Sequence, residues 1–217
     1  STDKPVDVAC AYTEHVLTHP RSEEWRANRG TFDFSAARNY VLEYLDSLDA
    51  DWIVQIDADE TLDPATAPML RTELSKVPTH VNCILVTMIM CHDSGEEYQH
   101  FLSERLLRNK SGARFSREMH NVCDVPLDQR MDWPQLRILH NRRYKAAESR
   151  YERSQQRLEL AERYFPPRIE ADPTDGRSMF YLAGTYFDCG RIAEAKEWFT
   201  RYLPVSKWPH EKYQAAM

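Results

Sequence analysis

The residues best suited to bind a ligand or take part in a reaction are the three acids of Asp57-Ala58-Asp59-Glu60. They directly follow Trp52-Ile53-Val54-Gln55-Ile56, a run of β-forming residues typical of a buried strand. Three negative charges in four residues repel one another and need compensation. A divalent cation provides it, since hard ions take oxygen ligands, and ligands of open α/β sheets gather outside the carboxyl ends of strands. The segment therefore predicts a divalent-cation site, with a solvated acidic turn as the alternative.

Two enzyme classes use a segment of this kind. Nucleotide-sugar transferases hold a metal ion against the donor diphosphate with a D-x-D motif. Aspartyl-phosphate phosphohydrolases use D-x-D-x-T after an apolar strand, a pattern that Asp57-Ala58-Asp59-Glu60-Thr61 satisfies, with the first aspartate as nucleophile and the second as acid/base. Those phosphohydrolases also need a later lysine and a paired acidic motif of the G-D-x-x-x-D type. The sequence has no such downstream pair, which favours the transferase.

The elements that must position these carboxylates read as an α/β sheet. A helix capped by Asp33 or Ser35 and running to about Ser47 precedes the acidic strand, and Asp63-Pro64 predicts another helix from Pro64 to Lys76. Strands separated by helices in the first half favour an α/β sheet with mixed later strands. The remaining predicted elements of this half are a helix over Val6–Leu17 and strands over Val81–Met90, Phe101–Arg108, Ala113–Phe115 and Gln135–His140.

The sequence pattern changes to purely helical from Lys145 onward. Lys145–Phe165 predicts an amphipathic helix that ends at Pro166-Pro167. Two helical stretches then follow within Ser178–Leu203, joined by Asp188-Cys189-Gly190, with the spacing of a single tetratricopeptide repeat. We therefore expect two domains, residues 1–144 and residues 145–217.

The composition excludes several classes of protein. A formal charge of −6 disfavours a protein that holds nucleic acid mainly through its phosphates. The longest apolar run, Cys83–Cys91, is far shorter than the roughly 18 residues that a membrane span needs. Five cysteines, odd in number and without a C-x-x-C pair, argue against a disulfide framework or a cysteine-based zinc site. We expect a cytoplasmic protein with reduced cysteines and no membrane span.

Several motifs, taken in order, strongly resemble glycosyltransferase family 2. The resemblance rests first on Phe34-Ser35-Ala36-Ala37-Arg38-Asn39, on Asp51-Trp52-Ile53 and on Ile56-Asp57-Ala58-Asp59-Glu60-Thr61-Leu62. Three later segments are similar to the family's R-x-x-R-N, I-H-E and I-H-x-G-Y elements: Glu104-Arg105-Leu106-Leu107-Arg108-Asn109, Met119-His120-Asn121 and Leu139-His140-Asn141-Arg142-Arg143-Tyr144. The resemblance covers about residues 31–203. It implies a GT-A-like, Rossmann-like mixed sheet with helices, followed by a C-terminal α-helical tetratricopeptide-like segment.

The resemblance also implies an activity and a set of site residues. The activity is inverting, hexosyltransferase-type transfer from a nucleoside-diphosphate sugar, first of all a UDP-sugar, to a hydroxyl of an acceptor protein or glycan. Asp59 and His140 would ligate Mn²⁺ or Mg²⁺, with Asp57 nearer the sugar or ribose. The implied donor-binding residues are Asp3, Arg38, Asn39, Asp57, Arg142 and Arg143. Arg105 and Arg108 lie on opposite faces of a strand, so at most one faces the cleft.

The chain departs from the family pattern at two places. Asn121 stands where relatives often carry a glutamate, and an amide cannot act as general base, so Glu118, His120 or Glu60 would have to substitute. Ser1-Thr2-Asp3 resembles the end of the family's D-x-G-S-x-D loop, which normally follows two strands. The chain would then lack the N-terminal first strand. Both departures favour the alternative of a non-catalytic, degenerate transferase that serves as a helical-repeat binding scaffold.

Overall fold

The protein is a mixed α/β molecule that divides into two compact units. The computed structural model describes residues 5–27, 32–92, 94–141, 150–207 and 209–217. Of the described residues, 5–27 and 32–141 form unit 1, and those from 150 onward form unit 2. No helix within the described ranges combines the length and the apolar character needed to cross a membrane.

Unit 1 contains four short helices around a sheet. The helices are α1 (Pro5–Cys10), α2 (Ser22–Ala27), α3 (Phe34–Leu45) and α4 (Leu70–Leu74). The strands are β1 (Trp52–Val54), β2 (Glu60–Leu62), β3 (Cys83–Cys91), β4 (Glu97–Arg108), β5 (Phe115–Ser116), β6 (Val122–Cys123) and β7 (Arg130–Asn141). Single 3₁₀ turns, at Ala67–Met69 and Leu127–Gln129, precede α4 and β7.

Five of these strands form one mixed sheet in the order β1-β4-β3-β7-β2. Only β3 and β7 run parallel, and the other neighbours are antiparallel. The consecutive strands β1 and β2 therefore lie at opposite edges, about 19 Å apart in a flat sheet. The connection from Val54 to Glu60 contains a turn, in which the amide of Glu60 donates to the carbonyl of Asp57, and cannot be fully extended. The sheet must curl so that this acidic connection can cross its end.

Two apolar clusters hold the sheet in place. On one side, Leu42 of α3 packs with residues of β3, β4, β5 and β6: Cys83, Leu107, Phe115 and Cys123. On the other side, the buried residues Ile84, Val86, Leu106 and Ile138 pack with side chains from α4 and the connection that follows it: Leu70, Leu74 and Val77. The first cluster fixes α3 close to the acidic turn.

Helix α3 confirms the helix predicted before the acidic strand, and Asp33 rather than Ser35 is its cap. Asp33 is its N-cap, and the carboxylate of Asp33 accepts from the amide of Ala36 at 2.9 Å. The helix ends at Leu45, close to the predicted Ser47.

Three other predictions for unit 1 were wrong in extent. The predicted buried strand Trp52–Ile56 is the three-residue, half-buried strand β1, because it lies at an edge and Ile56 leaves the sheet exposed. The predicted helix Pro64–Lys76 shrinks to a 3₁₀ turn and α4, since Pro68 donates no hydrogen bond and forces a new start. The predicted helix Val6–Leu17 stops at Cys10, and the Thr13 hydroxyl accepts from the amide of His15 just beyond it.

Unit 2 is helical, with α5 (Arg150–Ala171), α6 (Gly176–Asp188), α7 (Ile192–Tyr202) and α8 (Pro209–Ala216). Helix α6 packs on both α5 and α7. The predicted turn between α6 and α7 is present. Gly190 takes a positive φ of 75°, and the amide of Arg191 closes the helix end on the carbonyl of Tyr186.

The prediction that Pro166-Pro167 end a helix was wrong, because α5 continues to Ala171. Its buried residues Leu158, Ala161, Phe165 and Ile169 recur at helical spacing across the two prolines. The carbonyls that lose their partners belong to Glu162 and Arg163, whose side chains are exposed, so water can reach that face. Burial of Phe165 and Ile169 therefore stabilises the part of the helix that follows the two prolines.

Substitution of Ile169, whose exposed fraction is 3%, tests this continuation. We expect Ile169→Ala to lower the free energy of unfolding of the helical unit by about 2–5 kcal/mol in urea denaturation, because it leaves a cavity. The exposed neighbour Glu170→Ala is the control and should change that energy by less than about 0.5 kcal/mol. Equal, small effects of both substitutions would show that the helix ends before Ile169.

Candidate functional site

The acidic segment forms a tight turn that is fixed by one of its own carboxylates. Glu60 is the first residue of β2, and the exposed fraction of its side chain is 1%. Its Oε2 accepts from the amide of Asp57 at 2.8 Å, while its own amide donates to the carbonyl of Asp57 at 2.9 Å. The turn is therefore closed at both ends through Glu60, and this places Asp57 and Asp59 at the end of the sheet.

Glu60 also binds the side chain of a buried arginine. Nη2 of Arg105 donates to Oε1 of Glu60 at 2.6 Å. The register of β4 explains the aim of Arg105: Ile84 pairs with Leu106 and Leu85 with Glu104, which leaves Arg105 as the extra residue of a β-bulge. The bulge at Arg105 thus supplies the positive charge that a buried carboxylate requires.

Asp57 lies between two guanidinium groups. Its carboxylate is 3.5 Å from Nη2 of Arg38 and 3.7 Å from Nη1 of Arg105. The exposed fraction of the Asp57 side chain is 45%, so a ligand can reach it from solvent. These contacts are long for charge-assisted hydrogen bonds, which are about 2.7–2.9 Å. Asp57 is therefore held loosely between two positively charged side chains.

Arg38 projects from α3 and is anchored on three sides. Its Nη1 donates to Oδ1 of Asn121 at 2.8 Å, and its guanidinium carbon lies 5.2 Å from the centre of the Phe115 ring. Gln55, with its amide oxygen turned toward Arg38, accepts from Nη2 at 2.8 Å. Burial lowers the pKa of Arg38, and the Asp57 carboxylate partly offsets this effect. Arg38 is thus a desolvated, oriented donor beside the acidic turn.

Asp59 and His140 meet on the opposite side of the turn. Residues 60 and 140 are paired between β2 and β7, which brings the His140 ring next to the acidic segment. Nε2 of His140 is 3.4 Å from Oδ2 of Asp59, and Nδ1 is 3.7 Å from Oε1 of Glu60. The structure therefore brings together the two residues predicted as metal ligands.

The donor set of Asp59 and His140 fits a phosphate-bound dication. Mg²⁺ is usually held by one or two carboxylates together with substrate phosphates, and imidazole suits transition metals. Three carboxylates face two guanidiniums here, so one negative charge is in excess when His140 is neutral, as a metal-binding imidazole must be. Among the described residues, no group of three or more histidine, cysteine or acidic side chains is placed to hold a metal ion.

The loop between β5 and β6 carries Glu118 and His120 and is fastened to α3. The amide of Phe34 donates to the carbonyl of Glu118 at 3.2 Å, and the Ser35 hydroxyl donates to the carbonyl of Arg117. Arg117 and His120 adopt positive φ angles of 75° and 48°, which cost energy for residues other than glycine. His120 is exposed and Glu118 is half-buried. Asn121, which directly follows His120, accepts a hydrogen bond from Arg38, so the strained loop lies next to Arg38.

The other predicted residues either make contacts elsewhere in the fold or lie outside the described residues. Asn39 has both amide atoms engaged by the backbone of Phe115, at 2.8 Å each, so its observed role is to join α3 to β5. Arg108 points away, stacked over Trp52 and bound to the carbonyls of Val81 and Pro78, which confirms that only one arginine of that strand reaches the site. Asp3, Arg142 and Arg143 lie outside the described residues.

The sequence patterns missed one member of the site, Gln55, and predicted another role for Glu60. Gln55 supports Arg38, and strand alternation, which puts residues 55 and 57 on one side, could have indicated it. The sequence offers Glu60 as a possible general base, but its buried carboxylate is already engaged by Arg105 and by the turn. Residue type does not show which of the three neighbouring acids, Asp57, Asp59 or Glu60, is buried.

Comparison with known proteins does not assign this chain to a family. A scan of the chain against known protein families gives no match, and a search among curated proteins gives no similar sequence. The resemblance to glycosyltransferase family 2 therefore stays a prediction from the motifs of the chain.

Removal of the Glu60 carboxylate tests its place in the site. We expect Glu60→Ala to lower the free energy of unfolding of unit 1 by about 3–5 kcal/mol, because the buried Arg105 would lose its partner at 2.6 Å and keep only the half-exposed Asp57 carboxylate at 3.7 Å. The measurement is urea denaturation of the variant beside Glu60→Gln, which keeps an acceptor for the amide of Asp57 and should cost less.

The double variant Glu60→Ala/Arg105→Met is the control for this pair. It removes both charges, so it should recover part of the lost stability. A Glu60→Ala protein within about 1 kcal/mol of the wild type would contradict a buried, paired carboxylate.

Proposed function

We propose that the protein is a metal-dependent glycosyltransferase of the family 2 type. It would move a sugar from a nucleoside-diphosphate sugar, with uridine diphosphate as the preferred nucleotide, to an acceptor hydroxyl. The observation that carries the proposal is the convergence of Asp57, Asp59, His140, Arg38 and Arg105 at one end of the sheet. Carboxylates that bind a cation, beside guanidiniums that bind phosphate oxygens, are the groups that a sugar-nucleotide diphosphate requires.

Each side chain has a distinct task in this proposal. Asp59 and His140 would hold Mn²⁺ or Mg²⁺, which when bound stabilises negative charge on the departing diphosphate. Asp57 would face the sugar or ribose, oriented by Arg38 and Arg105. Arg38, already desolvated and fixed by Gln55 and Asn121, can donate to a phosphate oxygen with little further ordering. Glu60 would act only by positioning the turn.

The acceptor hydroxyl needs a general base as it attacks the anomeric carbon. Asn121 cannot accept that proton, and its oxygen accepts from Arg38 instead. Glu60 is buried in its ion pair with Arg105. Glu118 and His120 remain the candidates, both on the strained loop beside α3. Backbone strain of this kind concentrates at active sites, and this supports a role for the loop.

A non-catalytic binding protein is the second candidate function. The observation that favours it is the pairing of Asp57 with two arginines, which compensates the acidic turn within the chain. In that case the turn would be a structural feature, and neither metal nor sugar nucleotide would bind.

Thermal unfolding with uridine diphosphate, in the presence and absence of Mn²⁺, separates the two candidates. We expect nucleotide and Mn²⁺ together to raise the melting temperature, because a ligand at about 100 times its dissociation constant stabilises the folded state by about 2.7 kcal/mol. Asp59→Asn should abolish this rise, whereas the exposed Asp128→Asn, outside the site, should retain it. A wild-type protein that shows no rise under any combination would favour the scaffold.

Nucleotide release identifies the base. We expect either Glu118→Gln or His120→Gln to lower the turnover of a sugar nucleotide by about 10²–10⁴-fold, the usual contribution of a general base. The same variant should keep the metal-dependent thermal shift, since binding does not need the base. Full turnover in both variants would remove the loop from the mechanism.

A further inference from the structure

Several buried hydrogen-bond donors near Asp57 have no acceptor. Nε and Nη1 of Arg105 and Nδ2 of Asn121 are shielded from water, and none of the three donates to an acceptor among the described residues. The remaining nitrogen of the Arg105 guanidinium, Nη2, donates to Glu60. A buried donor without an acceptor is costly, so a native fold that keeps such a group needs a reason for it. Two different side chains with this property at one place indicate a binding site for a group rich in acceptors.

The amide of Asn121 is oriented by Arg38. Its Oδ1 accepts from Nη1 of Arg38 at 2.8 Å, and because only the oxygen of an amide can accept, the assignment of Nδ2 is settled as well. The two amide atoms share one carbon, which places the N–H groups of Asn121 next to the Arg38 guanidinium. A glutamate at this position, as in the family pattern, would instead neutralise Arg38. Asn121 therefore leaves the charge of Arg38 available and adds a donor beside it.

Asp57 is an imperfect partner for the two arginines. Its carboxylate lies 3.5 Å from Nη2 of Arg38 and 3.7 Å from Nη1 of Arg105, beyond the length of about 2.7–2.9 Å that a charge-assisted hydrogen bond has. The Asp57 side chain is 45% exposed, against 22% for Arg38 and 10% for Arg105, so its carboxylate lies on the solvent side of both guanidiniums. An anion that reaches hydrogen-bond distance can displace it.

The pairing of charges identifies the kind of group that can replace the Asp57 carboxylate. Arg105 is compensated by Glu60 at 2.6 Å, whereas Asp57 is the one carboxylate that pairs with Arg38 among the described residues. Burial lowers the pKa of Arg38, because its charged form has lost water contacts. Arg38 therefore needs an anion beside it. A phosphate supplies several acceptor oxygens at once, in the geometry that guanidiniums prefer.

We propose that Arg38, Arg105 and Asn121 form a phosphate-binding subsite whose place the Asp57 carboxylate takes until a phosphate displaces it. The displaced carboxylate then turns toward the sugar or ribose, so that binding of the diphosphate and orientation of Asp57 are coupled. Asn121 thereby acquires a binding role, and Asp57 acts as an internal competitor for the ligand. The inference rests on the proposed function for the identity of the natural ligand, a sugar-nucleotide diphosphate, whereas the subsite itself needs no metal.

Isothermal titration calorimetry of the full chain with pyrophosphate, in the presence of EDTA, tests the subsite without metal. We expect Asp57→Asn to bind pyrophosphate about tenfold or more tightly than the wild type, because the competing carboxylate is gone and Arg38 lacks a counter-ion. Asp128→Asn removes one negative charge at an exposed position outside the site and should bind as the wild type does. An unchanged or lower affinity of Asp57→Asn, or an equal gain in both variants, would overturn the proposal.

Substitutions of Asn121 test its part in the subsite. Asn121→Asp puts a carboxylate next to Arg38, so we expect it to weaken pyrophosphate binding by about tenfold or more in the Asp57→Asn background. Asn121→Ala removes the amide without adding a charge and should weaken binding less. Full affinity in both double variants would overturn the role of Asn121.

A crystal structure of the wild-type chain at saturating pyrophosphate keeps the test independent of how the variants fold. We expect phosphate oxygens within hydrogen-bond distance of Nη1 of Arg105 and Nδ2 of Asn121, with the Asp57 carboxylate turned away from both guanidiniums. Pyrophosphate bound elsewhere, or no pyrophosphate beside an unmoved Asp57, would refute the displacement.

The result is separable from that for the proposed function. Asp59→Asn removes a predicted metal ligand but none of the donors, so in the Asp57→Asn background it should not weaken pyrophosphate binding in EDTA. Pyrophosphate binding as expected, without any metal-dependent response to uridine diphosphate, would refute the transferase and leave a phosphate-binding site. A metal-dependent nucleotide response without tighter pyrophosphate binding by Asp57→Asn would refute the subsite alone.

Discussion

The candidate site depends on the burial of one carboxylate, that of Glu60. An isolated buried carboxylate is too costly to remain charged, so the surroundings of Glu60 are strongly constrained. Arg105 must reach it from a bulge in β4, and the amide of Asp57 must turn back toward it. The same carboxylate lies 3.7 Å from the ring of His140. Three segments that are far apart in sequence are thereby brought to one end of the sheet.

The curl of the sheet and the contacts of Glu60 depend on each other. Strands β1 and β2 occupy opposite edges, yet only five residues separate them. The acidic connection can span the end of the sheet only if the edges approach, and its turn is what Glu60 closes. On the other side, α3 is fixed by its apolar contact through Leu42 and by Asn39, so that Arg38 arrives beside Asp57. The site is therefore assembled by non-local contacts around a locally encoded turn.

Sequence patterns predicted what local interactions decide. The cap at Asp33 and the turn at Gly190 depend on neighbouring residues alone, and both lie where the sequence placed them. The length of β1 depended on its position at an edge, and the passage of α5 through Pro166 depended on burial of Ile169. A short stretch of sequence shows neither the edge position of β1 nor the burial of Ile169.

The candidate site shows the same division between local and distant information. The residue types and spacing predict Asp57 and Asp59, the resemblance to glycosyltransferase family 2 adds His140, and the structure brings His140 next to the acidic turn. That Glu60 is buried while Asp57 is half exposed cannot be predicted from residue types, because it follows from the curl of the sheet. The bulge that aims Arg105 is likewise a property of strand pairing between β3 and β4.

In the proposed function, Asp59 and His140 share a dication with a sugar-nucleotide diphosphate, and Asp57 lies beside the sugar or ribose. A crystal structure of the chain with Mn²⁺ and uridine diphosphate tests it most directly, with the metal located by its anomalous scattering. We expect one manganese ion bound by Asp59 and by diphosphate oxygens, with His140 within ligand distance. A structure at saturating ligand with no manganese at the turn, and with Asp57 still paired to Arg38 and Arg105, would contradict it.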